Sequence, residues 1–327
     1  MNIAFAGLRH GHIYAIYDNA IQSDKYKVLG AYETFEPAVA EAKEKGLECN
    51  YATLEELLAD ERVDAVALGG CYAERGAMAI KALKAGKHVI ADKPLCTTLE
   101  ELDEIERLAK ANNLFVSCMY TMRFHPLVIA VKELVDNGVL GEINNVYFGG
   151  QHPLQYGRRP MWYFEEGKHG GVINDIAIHG IDILKFALNL EVDEVIGARC
   201  WNKYAKEAPN FKDSAQLMIT ATNGAGIIAD VSYASPDGIE FGLPYYWDFT
   251  IWGTDGTLKF NVKDQVITYY VAGDKEPKFI EPKEPKCDYL TDFYNLTQGK
   301  DDIILPMEDT IASTRYTLMI QKEADKR

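Results

Sequence analysis

Three side chains in this sequence have the chemistry to take a proton from a hydroxyl group and return it. Lys93 lies in "GKHVIADKPL", just after a short apolar run. The carboxyl end of a parallel strand is where open α/β sheets bind ligands, and a lysine there can hydrogen-bond a substrate hydroxyl and exchange its proton. Asp175 and His179 stand four apart in "HGGVINDIAIHGIDIL". That spacing puts both on one face of a helix. His179 then serves as base, with Asp175 holding the ring or the substrate and Asp182, three residues further on, orienting the imidazole. Gly170 and Gly171 would let the helix N-terminus come close to a ligand. The plainer alternatives are a solvated lysine at a strand end and a helix with one core histidine.

A second group of residues has the layout of a nucleotide-binding turn. The chain opens "NIAFAGLRHGH". In such a turn one glycine makes the tight bend, a second admits the pyrophosphate and a third packs helix on strand. Gly7 fills the first place, but Arg9 and His12 stand in the other two, with Gly11 one position early. His10 completes the turn. Glu33 ends the next apolar run. Its carboxylate would accept from a ribose 2′-hydroxyl and repel a 2′-phosphate, so NAD is expected ahead of NADP. The Arg9 side chain can replace lost backbone contacts by pairing with a phosphate. The alternative is an ordinary strand–helix turn decorated with basic residues.

The elements that position these groups are legible from pattern. The runs "NIAFAG", "YKVLGAY", "VDAVALGG", "KHVIAD" and "LFVSCMY" alternate with amphipathic stretches such as "TLEELLAD" and "TLEELDEIERLAKANN". Thr53 with Glu56 and Thr98 with Glu101 have capping-box spacing. Alternating strands and helices predict a doubly wound parallel sheet ending near residue 120. Beyond "TMRFHP" comes the helix "PLVIAVKELVDNG", then the strand "EINNVYFGGQ". A Tyr-, Arg- and Trp-rich loop and the Asp175–His179 helix follow. The strands after that run in hairpin order, with turns expected at Asn223-Gly224, Asp255-Gly256 and Lys263-Asp264, the first two as two-residue turns with both central φ positive. "GDKEPKFIEPKEPK" reads as a surface loop.

Composition narrows the function. Of 327 residues, 47% are hydrophobic and 25% charged, the balance of a water-soluble globular chain. A net charge of -15 is the wrong sign for nucleic acid or an anionic membrane. No apolar run has the length of a membrane span, and the N-terminus lacks the pattern of a secretory signal, so the cytoplasm is expected. Cysteines at 49, 71, 96, 118, 200 and 287 form no CxxC pair and read as reduced thiols. His152, His169, Asp175 and His179 have no tight metal-ligand spacing, so no metal is expected. The loop "GGQHPLQYGRRPMWYFEEGKHGG" offers aromatic faces (Tyr156, Trp162, Tyr163, Phe164) and polar donors (His152, Arg158, Arg159, His169), a mixture that suits a sugar ring. Packing of the aromatics is the alternative.

Taken in order, the N-terminal turn, "AGKHVIADKPL", "RFHP", "NGVLGEINNV", "GGVINDIAIHGID" and "IWGTDGTLKF" resemble the Gfo/Idh/MocA oxidoreductase family. The resemblance implies an NAD(P)-binding Rossmann domain over 1–122 and a C-terminal α+β domain with a large, mainly antiparallel open sheet over 123–327. It implies hydride transfer between NAD and a hydroxyl of a sugar, polyol or glycoside, with Lys93, Asp175 and His179 at the catalytic positions. Gly7, Arg9, His10, Gly11, His12, Glu33, Lys93 and Pro94 would bind cofactor. Lys93, Arg123, His152, Tyr156, Trp162, Asp175 and His179 would contact substrate. Arg75 stands where many members carry histidine, and Ala177 replaces a common glycine. A homodimer or homotetramer through the C-terminal sheet is expected. Two other readings stay open: a relative that recycles bound NAD while cleaving or isomerising a glycoside, and a non-catalytic NAD-binding sensor or scaffold.

Overall fold

The computed structural model describes residues 1–326. The first third of the chain lays down β1 (Asn2–Ala6), α1 (Ile13–Gln22), β2 (Lys27–Tyr32), α2 (Glu36–Glu44), α3 (Leu54–Ala59), β3 (Ala65–Leu68), α4 (Tyr72–Lys84), β4 (His88–Ala91), α5 (Leu99–Asn112) and β5 (Val116–Cys118). The five strands pair in the order β2-β1-β3-β4-β5, all parallel. Strands covered on both faces need no polar alternation, and β3, "AVAL", is buried at every position. Both capping threonines act as expected: Thr53 accepts from Glu56 N at 3.0 Å and Thr98 from Glu101 N at 3.2 Å. In each case the glutamate reaches back to the amide just before the cap, Ala52 or Thr97.

Two compact units form, and their boundaries differ from the single division expected at 122/123. The first comprises residues 1–119, 160–170 and 287–314, and the second 120–159, 171–286 and 315–327. Side-chain bonding explains the two later pieces of the first unit. Trp162 donates its indole N–H to the carbonyl of Arg9 at 3.0 Å. Tyr26 donates to the carbonyl of Leu290, in α8 (Tyr289–Thr297), at 2.7 Å.

The second unit is built on an eight-stranded sheet. Its strands are β6 (Ile143–Pro153), β7 (Val192–Trp201), β8 (Ser214–Ala221), β9 (Gly226–Ser235), β10 (Trp247–Gly253), β11 (Gly256–Asn261), β12 (Ile267–Val271) and β13 (Lys278–Ile280), ordered β13-β12-β11-β10-β6-β9-β8-β7. β6 and β9 run parallel and the other neighbours antiparallel. Helix α6 (Pro126–Asp136) precedes the sheet, and α7 (Ile178–Leu188) follows β6. On the inner face Phe249 lies in register with Phe148 and Phe260, and the rings stack with centroids 6.1 and 4.9 Å apart. Gly180 of α7 is a packing requirement, because a Cβ there would lie 2.3 Å from the Phe148 ring.

Three local expectations are corrected. At Asn223-Gly224 only the glycine has positive φ, at 88°. Ala221 N bonds Ala225 O across a three-residue loop, so the turn is longer than the two-residue form. Neither Asp255 nor Gly256 has positive φ, although their hairpin forms. The Pro- and Lys-rich stretch read as loop contains β13, a three-residue edge strand, the place where such a composition is tolerated.

Candidate active site

The glycine turn stands at the point where the strand order of the parallel sheet reverses. β2 lies on one side of β1 and β3 on the other, and the loops after β1 and β3 meet. Gly7 has φ +73°, and a Cβ on it would sit 2.7 Å from the backbone of Gly70. Only glycine fits. Gly11, in contrast, has open space around it. Glu33 is tied into this turn: its Oε2 accepts from Leu8 N at 2.7 Å, and its Oε1 from Thr34 N and Phe35 N at 2.8 Å each. Of roughly four lone-pair positions on a carboxylate, three are used and about one is left for a ribose hydroxyl. A tight glycine turn at the switch point with an acceptor beside it fits a dinucleotide. The Arg9 guanidinium, expected on a phosphate, lies over the Phe35 ring at 4.0 Å.

Beneath the turn runs a buried polar chain. Arg75 Nη2 donates to Asp92 Oδ2 at 2.8 Å, and both side chains are fully buried. His10 Nδ1 meets the same oxygen at 2.5 Å, and His12 Nδ1, on a half-exposed ring, meets Oδ1 at 3.2 Å. Burial alone would raise the Asp92 carboxyl, but the Arg75 guanidinium and then the two histidines outweigh it and hold it well below the usual range. Burial brings His10 down to about 4 against the pull of Asp92, so the ring is neutral near pH 7. Nδ1–H therefore donates to the ionised Asp92, which leaves Nε2 to accept from the Tyr163 hydroxyl at 2.7 Å. The Tyr72 hydroxyl lies 3.3 Å from the same nitrogen and 2.6 Å from that of Tyr163. Among the described residues, His10, His12 and Asp92 are one trio whose ligand atoms lie within 4.8 Å of one another. The Arg75 guanidinium and the His10 ring both engage Asp92 Oδ2, and Oδ1 faces His12.

In the second unit, Asp175 and His179 are both buried, at 2% and 7% exposure. They do not share a regular helix. Ile173–Ala177 is a π-helical turn that leads into α7, so Asp175 lies on the wide turn and His179 on the α-helix. Single π turns of this kind recur at functional sites. Asp175 accepts a hydrogen bond from the hydroxyl of Tyr233 on β9. The His179 ring stands edge-on to Trp247, with centroids 5.6 Å apart, and His152 meets the same indole at 5.6 Å. Tyr246 Oη and His152 Nε2 are 3.2 Å apart. Gly171 makes a close approach to Gln321: a Cβ there would lie 2.2 Å from that amide, which also accepts from Ile173 N at 3.1 Å.

Several residues expected to touch substrate have hydrogen-bond partners within the protein. Arg123 is fully buried and donates two hydrogen bonds to Asp182, at 3.0 and 2.7 Å. The pair is a buried bidentate ion pair, which accounts for Asp182 as well. Trp162 is 3% exposed, its N–H held by Arg9 and its ring packed between Tyr72 and Tyr163 at 4.9 and 4.4 Å. Arg159 donates to the carbonyls of Leu154 and Pro153. Tyr156 is exposed. Sequence reading passes over Asp92, Tyr72, Tyr233 and Trp247. Tyr233 carries a signal: it occupies an inward position of β9, in step with Ile227, Ala229 and Val231, where a hydroxyl needs a partner.

Comparison with known proteins agrees with this organisation. Residues 1–120 match the oxidoreductase family with an NAD-binding Rossmann fold, and residues 128–259 match the Gfo/Idh/MocA C-terminal domain. The NAD+-dependent scyllo-inositol 2-dehydrogenase of Bacillus subtilis is 29% identical over 281 residues, covering 83% of this chain and 78% of its own. The myo-inositol 2-dehydrogenase of Thermotoga maritima is also 29% identical, over 60% of this chain and 57% of its own. An NAD-binding protein from Listeria innocua superposes with a TM-score of 0.81 at 22% identity, covering 99% of this chain and 97% of its own, which shows a shared fold. The chain belongs to the Gfo/Idh/MocA family of oxidoreductases, with an NAD-binding Rossmann domain at its N-terminus.

Proposed function

We propose that the protein is an NAD-dependent dehydrogenase of a hydroxyl on a sugar, polyol or glycoside, with cyclic polyols the first class to try. The observation that carries this reading is the buried Asp175 and His179 on one π-to-α helical segment, the carboxylate held by Tyr233. The names of the inositol dehydrogenases it resembles support the substrate class.

When bound, NAD supplies the acceptor for the carbinol hydride, so that the alcohol becomes a carbonyl compound. Gly7 and Glu33 hold the dinucleotide at the turn, with Arg9, His10, Gly11, His12 and Pro94 as further contacts. An imidazole nitrogen of His179 takes the hydroxyl proton. Lys93 Nζ donates a hydrogen bond to that oxygen and stabilises the charge that develops as the proton leaves. Asp175 positions the substrate, and His152 and Tyr156 are further candidates for substrate contact.

Absorbance at 340 nm, read with NAD and a panel of inositols, sugars and glycosides, tests the proposal. A rise with one substrate is expected, and His179→Ala should lower kcat at least 100-fold while the Kd for NAD stays within a few-fold. Retained NAD, no net rise and release of an aglycone or isomer would favour the recycling reaction. No affinity for NAD would leave a sensor or scaffold.

The same reading puts the protein in the cytoplasm as a homodimer or homotetramer. Among the described residues no helix is long and apolar enough to cross a membrane. Met218, Ile228, Trp252, Tyr270 and Phe279 are 44–61% exposed on the outer face of the large sheet, a patch suited to a second copy. Ile228→Lys should shift the mass seen by light scattering toward the monomer.

A further inference from the structure

The bonding of Arg75 reaches well beyond a single counter-charge. It is fully buried on α4. Nη2 satisfies the ion pair with Asp92, yet Nη1 reaches three successive main-chain carbonyls: Asp92 O at 2.7 Å, Lys93 O at 2.7 Å and Pro94 O at 3.2 Å. Nε donates to Gly70 O at 2.9 Å, beside the glycine turn. A buried aspartate needs only a counter-charge. The planar fork of a guanidinium does more here, because it pins the backbone on both sides of Lys93 to the loop after β3.

We propose that Arg75 is a positioning residue for Lys93, fixing the direction in which its side chain leaves the end of β4; the inference rests on Lys93 acting at the substrate hydroxyl. A shift of about 1 Å in a group that must meet a reacting atom costs on the order of 100-fold in rate. An ammonium in place of the guanidinium keeps the charge opposite Asp92 but has one nitrogen, which cannot serve Gly70, Asp92 and three carbonyls together.

The test compares Arg75→Lys and Lys93→Ala with the wild type in kcat, KM, the pH profile of kcat, the Kd for NAD and the unfolding midpoint. Arg75→Lys should fold, bind NAD within about threefold of wild type, and lose roughly 10- to 100-fold in kcat, with a displaced pH profile. Wild-type kcat and an unchanged profile in folded Arg75→Lys would overturn the proposal while leaving the role of Lys93 intact. Unimpaired turnover by Lys93→Ala would remove the Lys93 assignment and the proposal with it. Should Arg75→Lys fail to fold, Arg75→Met combined with Asp92→Asn removes both buried charges. Full kcat in that folded double variant would likewise overturn the proposal, and a 10- to 100-fold loss with NAD still bound would uphold it.

Discussion

Glu33 has two roles to separate, and its hydrogen bonds set the magnitudes. Glu33→Ala removes the acceptor for Leu8, Thr34 and Phe35 as well as any acceptor for the ribose. A hydrogen bond to a charged group contributes about 1.5–3 kcal/mol when buried, and less where water competes. Glu33 is half-buried, so the three bonds together are expected to cost roughly 2–3 kcal/mol of stability. Loss of the ribose hydrogen bond should add about 1.4–2.8 kcal/mol to NAD binding, a 10- to 100-fold rise in Kd. NADP should weaken less, because the same substitution removes the repulsion of its 2′-phosphate. Calorimetric titration with both dinucleotides, beside thermal unfolding, reads the two effects separately. A lower unfolding midpoint with an unchanged NAD-to-NADP ratio would refute the ribose assignment and leave Glu33 as a brace of the turn. An unchanged midpoint would refute the bracing role.

Two further outcomes follow from buried groups. Tyr233→Phe removes one donor to Asp175 and should lower kcat about tenfold while leaving the Kd for NAD unchanged, measured by initial rates and titration. Burial holds His10 at about 4 in the folded protein against an ordinary 6.5, so below pH 6.5 the unfolded chain takes up a proton that the folded one does not. Stability should therefore fall as the pH drops from 6.5 to 4, by about 1.4 kcal/mol for each pH unit, and His10→Gln should flatten part of that slope in chemical denaturation. His88 and His125, both lowered by burial, leave a residual slope in the same direction. Asp92, held low, keeps its contribution until more acid pH.

The legible features are the local ones. The threonine caps, the parallel strands and the hairpin positions each follow from a few neighbouring residues. β7 is hidden because bulges at Val192/Glu194 and Val195/Gly197 interrupt its register and blur the alternation a strand normally shows. The turn at Asn223-Gly224 departs from the expected type because a three-residue loop needs positive φ only at its glycine. In the candidate site, the residue types are readable but not their commitments. Trp162 and Arg123 look available because sequence gives no sign that Arg9's carbonyl or Asp182 would claim their N–H groups. The same holds for Asp92, which is the immediate neighbour of Lys93 yet works through Arg75 and His10, residues 17 and 82 positions away.

The discontinuous make-up of the first unit bears on its synthesis and on its transplantation. During translation the Rossmann sheet can pair once residue 119 has left the ribosome, but Tyr72 and His10 gain their hydrogen bonds to Tyr163 only about forty residues later, and Tyr26 waits for Leu290. A fragment ending at 119 would present a nearly finished sheet with bare aromatic and imidazole surface, a natural client for a chaperone. A chimera that borrowed the cofactor unit of a relative would have to bring residues 160–170 and 287–314 with it, or rebuild the seam around Trp162.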